Sequence, residues 1–406
     1  MFLWLNSSPA RVSHALLPSC LHVHHSQVDQ VGHFLIVVWS AGGNVVPVAG
    51  LARVLSNRGH AVRVLGPPVL EKRFEQAGCT FHPFQRAREP SRIEEEVFED
   101  DLLGWARFVS GSRLADDVMA ELDREAVDVV LVDASLSAAL AAAEKAGAPT
   151  AALVHVLYQP CVEGPTATLW DSTRPFVDAT RRRLGLSPLD SALPLLSTLW
   201  SRVSLVLACV PELFDYPLSN MVTNLRYVGP IFEDGPVDSP QSGDSRVLVS
   251  FGTTNMRQGQ VLQRVLDALE FLDSEVLCTL GGVSLGELHP PDNAKIRNWV
   301  PHMAVLSRTS AVITHAGLST VMSALANGVP LVCMPMGRDQ LWNADRVAAL
   351  GVGCHISAES SVDAIRAAVT DVLEDSNFRH KARRMAEVIA EYGNGMKAAS
   401  EVEALL

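Results

Sequence analysis

The stretch THAGLSTVMSALANGVPLVCMPMGRDQLWN, residues 314–343, decides the fold. It comes after an apolar run, Ala311 to Ile313, that predicts a buried strand. A small-residue turn then leads into a helix pattern from Ser319 to Asn327, which residues 328–330 (GVP) close before a second apolar strand, Leu331 to Met334. The order strand, turn, helix, strand predicts a βαβ unit of a parallel sheet.

The start of this helix predicts an anion-binding site. The free N–H groups of its first turn and the positive end of its dipole point at whatever lies above the turn. His315 stands at the strand exit, and Ser319 and Thr320 supply hydroxyls in the first turn. All of these can reach one diphosphate. The alternative is an ordinary βαβ turn with a capping serine.

Composition limits the class of protein. The chain has 406 residues, 48% of them hydrophobic and 19% charged, which suits two domains with substantial cores. No apolar stretch approaches the roughly 20 residues that a membrane span needs. The net charge of -12 argues against nucleic-acid and anionic membrane partners. Seven scattered cysteines, an odd number, predict a reduced, cytoplasmic protein and not a disulfide scaffold.

The pattern of apolar runs and breakers divides the chain. Residues 1–32 fit poorly with the rest of the chain and predict a disordered extension or a start placed too early. Residues 33–230 open with a β-α-β pattern and predict a first Rossmann-like domain, although its glycines do not form the dinucleotide fingerprint. Residues 231–245, IFEDGPVDSPQSGDS, predict a linker. Residues 246–390 then predict a second α/β domain, and residues 391–406 a C-terminal helical segment.

Motifs on both sides of the central stretch carry a family resemblance. Residues 298–301 (NWVP) precede it, and Arg338-Asp339-Gln340 with Asn343 ends it. With these motifs the sequence resembles the nucleotide-sugar signature of the family 1 glycosyltransferases, especially the actinomycete enzymes that decorate antibiotics. Within that family it looks most like the calicheamicin (enediyne) deoxysugar transferases.

The resemblance implies the GT-B fold. In that α/β fold two Rossmann-like β/α/β domains face each other across a cleft, and a C-terminal helix crosses back to the first domain. Residues 33–230 would bind the acceptor and residues 246–390 the nucleotide sugar. The helix of residues 391–406 would pack on the first domain.

The expected donor-binding residues come from the second half. Gly252 allows close backbone approach and Thr253 offers a hydroxyl. The resemblance implies the remaining roles. Trp299 would stack on the nucleotide base and Val300 would recognise it, and His315, Gly317, Ser319 and Thr320 would bind the diphosphate. Ser323 would lie at the ribose, and Asp339 and Gln340 would bind hydroxyls of the sugar. The alternatives are core packing for Trp299 and a helix N-cap with its first turn for Asp339 and Gln340.

Ser323 bears on the nucleotide. Enzymes of this family that use ribonucleotide donors commonly place a glutamate here to hold the ribose hydroxyls. A shorter, uncharged side chain suits a sugar without the 2′-hydroxyl, so the resemblance favours a deoxythymidine diphosphate (dTDP) sugar over a uridine diphosphate sugar.

The usual general base is missing. The family's opening turn reads Gly-His-x-x-Pro, whereas residues 43–47 here read GNVVP, which places Asn44 where the catalytic histidine would stand. Its partner aspartate is matched by Asp133, for which an N-cap of the next helix is the equal alternative. Three explanations are open. The enzyme is inactive alone, or another residue is the base, or the acceptor needs little deprotonation. If another residue is the base, His155 is the first candidate and Asp133 the second. We favour an acceptor unlike a plain alcohol.

Two irregular segments are expected to bind the acceptor, on position and aromatic content. The first holds Phe98, Trp105 and Phe108 at helical spacing, with a core stripe as the equal alternative. The second, residues 156–183, holds Tyr158 and Trp170. The acidic residues 94–101 predict a solvated helical face and not a metal site.

We therefore expect an inverting, metal-independent glycosyltransferase that needs no cofactor. Its partners would be a dTDP-sugar and a natural-product acceptor, with no nucleic acid and no membrane, and a homodimer is left open. The alternatives are a nucleotide-sugar epimerase of the same fold and a non-catalytic activator of another glycosyltransferase. Turnover of the nucleotide sugar without an acceptor would identify the epimerase. Absence of sugar transfer by the protein alone would identify the activator.

Overall fold

The structure is a computed structural model that describes residues 31–40, 42–90, 98–164, 166–220, 222–233, 246–252, 256, 258–281, 283–284, 286 and 288–406. Residues 1–30 of the predicted extension and residues 234–245 of the predicted linker lie outside the described residues. No helix in the described ranges is long and apolar enough to cross a membrane.

The first half of the chain forms a seven-stranded parallel sheet, as its continuous apolar runs predict. The strands are β1 (His33–Val37), β2 (Ala61–Gly66), β3 (Thr80–Pro83), β4 (Val129–Asp133), β5 (Thr150–Val154), β6 (Leu205–Ala208) and β7 (Leu225–Tyr227). Their order is β3-β2-β1-β4-β5-β6-β7. The order reverses between β1 and β4, and such a switch point opens a crevice at the carboxyl ends of the strands.

Helices cover both faces of this sheet. They are α1 (Val45–Asn57), α2 (Glu71–Gln76), α3 (Phe98–Val109), α4 (Ser112–Arg124), α5 (Ser137–Ala146), α6 (Tyr158–Val162), α7 (Thr166–Asp171), α8 (Arg174–Arg183) and α9 (Leu195–Trp200). The prediction of a low-regularity connection over residues 156–183 is wrong, because α6, α7 and α8 occupy most of it. Their short apolar faces, including Cys161, Val162 and Val177, are buried in the core of this domain.

The second half forms a six-stranded parallel sheet with the order β10-β9-β8-β11-β12-β13. Its strands are β8 (Arg246–Ser250), β9 (Glu275–Thr279), β10 (Ala294–Arg297), β11 (Thr309–Thr314), β12 (Leu331–Cys333) and β13 (Gly353–His355). Its helices are α10 (Gly259–Leu269), α11 (His302–Leu306), α12 (Leu318–Ala326), α13 (Gln340–Leu350), α14 (Val362–Glu374), α15 (Ser376–Ala390) and α16 (Met396–Glu403). The βαβ unit predicted from residues 314–343 is confirmed as β11, α12 and β12, with Val312 paired in parallel to Leu331.

The last helix returns to the first domain. In α16 the side chains of Ala398, Ala399 and Val402 join the core that lies under α1. Glu403 accepts a hydrogen bond from Arg58 at 2.5 Å and lies 3.0 Å from Nε2 of His60. The predicted crossing of the C-terminal helix is therefore present.

The first residues of the predicted linker are also packed against the first domain. Ile231 and Phe232 are buried, and the Phe232 N–H donates to Asn394 Oδ1 at 2.6 Å. Glu233 binds both Arg73 and, through its carbonyl oxygen, Arg53. The segment was predicted to be a linker because most of it is rich in Pro and Gly. Its first two residues are apolar and bury their side chains, so this part packs on the first domain.

Contacts between α13 and the loop after β6 join the two domains across the cleft. The Arg346 guanidinium donates to the carbonyl oxygens of Phe214 and Leu213, at 3.0 Å each. It also lies 5.0 Å from the centre of the Tyr216 ring, within the range of a cation–π contact.

Placing a charge under α16 tests whether this helix stabilises the first domain. Ala399 is fully buried, so Ala399→Asp would leave an unpaired buried carboxylate at a cost of about 3 kcal/mol. We expect the thermal melting point of the first domain to fall by roughly 10 °C in calorimetry. Ser400→Asp, one residue further on and exposed, is the matched control and should melt close to the wild type. Equal melting of both variants would contradict a stabilising role for this helix.

Candidate functional site

The turn between β11 and α12 is held in an unusual backbone conformation. Ala316 has φ of 67°, a left-handed value that costs energy for a residue with a Cβ. Its N–H donates to Thr314 Oγ1 at 3.3 Å, and its carbonyl accepts from Asn343 Nδ2 at 3.0 Å. Gly317 is the N-cap of α12 and has no side chain with which to cap it. The first N–H groups of the helix therefore have no side-chain cap.

The His315 imidazole fills the space that two missing side chains leave. A Cβ built on Gly252 would lie 2.8 Å from His315 Cε1, and one built on Gly317 would lie 2.7 Å from Nε2. Gly252 also has φ of 75°. The Phe251 ring stacks on the imidazole with centres 6.2 Å apart. The imidazole is thus clamped between the end of β8 and the start of α12.

The electrostatic setting keeps this imidazole neutral in the free protein. Burial lowers the pKa of His315 to about 4, against a hydrogen bond to the Ser250 backbone that raises it. The charges of Arg338 and His302 lower the pKa further. A neutral imidazole has one N–H, so donation to an anion would replace the hydrogen bond of His315 to the Ser250 backbone, while α12 contributes the positive end of its dipole.

A buried polar chain lies behind the clamp, and sequence reasoning assigned it no role. Ser250 Oγ lies 3.1 Å from His302 Nε2 and accepts a hydrogen bond from Thr279 Oγ1 at 3.0 Å. Burial lowers the pKa of His302. The position of His302 directly after the NWVP motif was the signal that could have pointed to it.

Asn343 ties the donor turn to the start of α13. Its Nδ2 donates both to the Ala316 carbonyl and to Asp339 Oδ2, at 3.0 Å each. Asp339 is the N-cap residue of α13 but makes no side-chain cap bond, so its carboxylate is directed to Asn343 and not to the helix. Sequence reasoning quoted Asn343 in the motif and missed this role, which depends on two elements meeting in space.

Gln340 lies in the predicted place but its side chain is occupied. Oε1 accepts the N–H groups of Met336 at 2.8 Å and Gly337 at 3.2 Å, and the residue is 3% exposed. In this structure Gln340 shapes the loop before α13. Contact of Gln340 with a sugar hydroxyl stays a prediction.

The other donor residues divide by exposure. Trp299 is 66% exposed and lies beyond the end of β10, so its alternative of core packing is excluded. Val300 packs against the core, Ser319 is exposed, and Thr320 and Ser323 are buried in α12. Thr253 lies outside the described residues.

At the switch point of the first sheet, the structure brings Asn44 and Asp133 together. Asn44 is 1% exposed, and its Nδ2 donates to Asp133 Oδ2 at 2.6 Å and to the Trp39 carbonyl at 3.1 Å. Asp133 Oδ1 accepts from the N–H and hydroxyl of Ser135. The N-cap of α5 is Leu136, so the alternative of Asp133 as N-cap is wrong.

His155 lies where the two domains meet. It comes directly after β5, and its Nδ1 is 3.7 Å from Asp133 Oδ2. Burial raises the pKa of the Asp339 carboxylate, which belongs to the second domain, and the charge of His155 is close enough to lower that pKa in part. The His155 Nδ1 is buried and has no hydrogen-bond partner among the described residues.

The predicted acceptor aromatics separate into two groups. Phe108 and Tyr158 are 6% and 3% exposed and belong to the core, which is the alternative given for Phe108. Acceptor contact by either residue stays a prediction. Trp105 and Trp170 are half-buried and meet edge to face, with ring centres 4.7 Å apart. They stay candidates for the acceptor side. The side chain of Phe98 lies outside the described part of the structure.

Sequence comparison gives relatives for both halves of the chain. A family model described as "Erythromycin biosynthesis protein CIII-like, C-terminal domain" matches residues 263–405. The chain is 27% identical to 4'-demethylrebeccamycin synthase of Lentzea aerocolonigenes, over 92% of this chain and 99% of that protein. It is 30% identical to a PGL/p-HBAD biosynthesis glycosyltransferase of Mycobacterium tuberculosis, over 66% of this chain and 68% of that protein.

Solved structures share the architecture. The glycosyltransferase of kitacinnamycin has a TM-score of 0.77 at 23% identity, covering 93% of this chain and 99% of that one. The calicheamicin glycosyltransferase CalG4 has a TM-score of 0.76 at 23% identity, covering 93% and 98%. The predicted GT-B arrangement of two parallel α/β domains is confirmed.

Filling the space beside His315 tests the clamp. Gly252→Ala would add a Cβ that pushes the imidazole away, and we expect at least a tenfold loss of affinity for thymidine diphosphate in titration calorimetry. Gly147→Ala is the matched control, because Gly147 has a similar φ of 70° but no atom within 4 Å of the added Cβ. Both variants carry about 1–2 kcal/mol of backbone strain, so only the contact with His315 distinguishes them. Equal affinities would contradict the role of the clamp in binding.

Proposed function

This chain belongs to the natural-product glycosyltransferases, the family that includes antibiotic glycosyltransferases, and we propose that it moves a deoxysugar from a dTDP-sugar to a small acceptor. The transfer would invert the anomeric carbon, require no metal ion and take place in the cytoplasm. The observation that carries the proposal is the His315 clamp at the uncapped start of α12. At the clamp, the His315 imidazole lies between two glycines and next to the positive end of the α12 dipole.

The clamp supports a diphosphate as the bound group. A neutral imidazole and free backbone N–H groups stabilise negative charge by hydrogen bonding and need no metal ion to do so. Thr320 and Ser319 lie in the first turn of the same helix. As the bond to the sugar breaks, charge builds on the leaving diphosphate, and these oriented donors would stabilise it.

Nucleotide and sugar would lie on either side of this point. The exposed Trp299 offers a free indole face for a thymine base. Ser323 supplies no carboxylate for a 2′-hydroxyl, which supports dTDP over uridine diphosphate. Asp339, held by Asn343 beside His155, would bind hydroxyls of the sugar.

The acceptor side supports a nucleophile other than a plain alcohol. Asn44 occupies the place of the usual base and cannot take a proton, yet it keeps the hydrogen bond to Asp133. An amine or a hydroxylamine carries a lone pair that can attack without prior loss of a proton. The direct displacement would therefore proceed without a base at residue 44.

Removing the imidazole tests the diphosphate assignment. We expect His315→Ala to lower kcat for sugar transfer by at least tenfold, because loss of one oriented donor from such a site costs on the order of 3 kcal/mol. His380→Ala, which removes an exposed histidine of α15, is the control and should keep the wild-type rate. Unchanged turnover of His315→Ala would remove the assignment.

Restoring the histidine tests the acceptor assignment. We expect the wild type to transfer sugar to amines and hydroxylamines faster than to alcohols in an acceptor screen. Asn44→His would place an imidazole beside Asp133 and should raise transfer to alcohols by about 10²-fold. An Asn44→His enzyme with no gain on alcohols would count against the missing-base account.

A further inference from the structure

Two residues that contact Asp133 each carry a buried side-chain atom with no hydrogen-bond partner among the described residues. Both hydrogens of the Asn44 amide are used, one by Asp133 Oδ2 and one by the Trp39 carbonyl. The amide orientation is therefore fixed, and Oδ1 is left as a buried acceptor with no partner among the described residues. The second atom is His155 Nδ1, which is buried and lacks a partner in the same part of the chain.

The side chains that carry these two atoms meet at one carboxylate oxygen. Asn44 Nδ2 is 2.6 Å and His155 Nδ1 is 3.7 Å from the same oxygen, Asp133 Oδ2. A buried polar atom without a partner is costly and uncommon in native structures, so two of them on side chains around one carboxylate indicate that a ligand completes them. Because Asn44 Oδ1 can only accept, the group that meets it must donate a hydrogen.

We propose that the acceptor nucleophile is a primary amine or an NH₂-type hydroxylamine, whose two hydrogens are received by Asn44 Oδ1 and by the His155 imidazole. This inference rests on the proposed function and narrows its substrate class. An alcohol or a secondary amine has one hydrogen and would leave one of the two acceptors empty. Sites that leave a buried polar group unpaired discriminate strongly against such analogues.

The transfer step balances in atoms and electrons. The nitrogen lone pair forms the bond to the anomeric carbon while the bond from that carbon to the diphosphate oxygen breaks. The electron pair of the broken bond leaves with thymidine diphosphate. One nitrogen proton passes to His155 and then to solvent, and the other stays on the product nitrogen against Asn44 Oδ1.

Asp133 lies at the end of β4, with its Oδ2 3.7 Å from His155 Nδ1, close enough to orient the imidazole. Asp339 at the start of α13, with Arg338 next in the chain, is the carboxyl of the second domain whose electrostatics are coupled to His155. An imidazole oriented in this way can take a proton from a nucleophile within hydrogen-bond reach. His155 would therefore be the catalytic base of this site, and Asn44 its specificity residue.

The test compares para-chloroaniline, N-methyl-para-chloroaniline and para-chlorophenol as acceptors with dTDP-rhamnose as donor. We expect the wild type to favour the primary amine over the other two by at least tenfold in kcat/KM. Asn44→Ala should reduce that preference to below threefold. His155→Gln keeps a hydrogen-bonding side chain but takes no proton, so it should lower kcat at least tenfold and abolish the acidic limb of the pH profile.

The controls separate this inference from the proposed function. His380→Gln should behave as the wild type, and both active-site variants should bind thymidine diphosphate with unchanged affinity. Retention of the wild-type pH profile by His155→Gln, or of the amine preference by Asn44→Ala, would overturn the inference while transfer itself persists. A wild type that binds no thymidine diphosphate and transfers to none of the acceptors would overturn the proposed function and this inference together.

Discussion

The two hydrogen bonds of the Asn343 amide hold the donor side together. One fixes the carbonyl of Ala316, whose left-handed backbone places His315 between two glycines. The other fixes Asp339 at the start of α13. A single buried side chain thus sets both the turn before α12 and the carboxylate at the start of α13. Strain at Ala316 persists because the surrounding hydrogen bonds over-determine it.

The proposed reacting centre draws on both domains. Asp133, Asn44 and His155 stand at the carboxyl ends of the first sheet, where α/β sheets place functional groups. The second domain contributes Asp339 at the start of α13, and Arg346 of the same helix bonds to the backbone of the loop after β6. The position of Asp339 relative to His155 therefore depends on how closely the two domains approach.

The local signals in the sequence were enough for the regular elements and for the donor turn. Glycine and proline mark the ends of α12, and apolar runs mark β11 and β12. The helices between residues 156 and 183 were missed because each is short and is held by tertiary contacts, which periodicity cannot reveal. The same limit applies to Gln340, whose amide bonds to the backbone of the loop just before it, and to Asn343, whose amide reaches the turn before α12. The family pattern implied that Asn44 lies close to Asp133. Only the structure shows that Asn44 Oδ1 and His155 Nδ1 are buried without a hydrogen-bond partner among the described residues.

The return of α16 to the first domain affects how this enzyme could be recombined. Its core residues and the Glu403 contacts to Arg58 and His60 belong to the acceptor half, although they lie at the far end of the chain. A hybrid that exchanges only the nucleotide-sugar half would have to carry two junctions, one in residues 234–245 and one before residue 391. A hybrid with a single junction would pack the C-terminal helix of a different protein against α1. Such a hybrid would lose stability at a surface that is remote from either substrate.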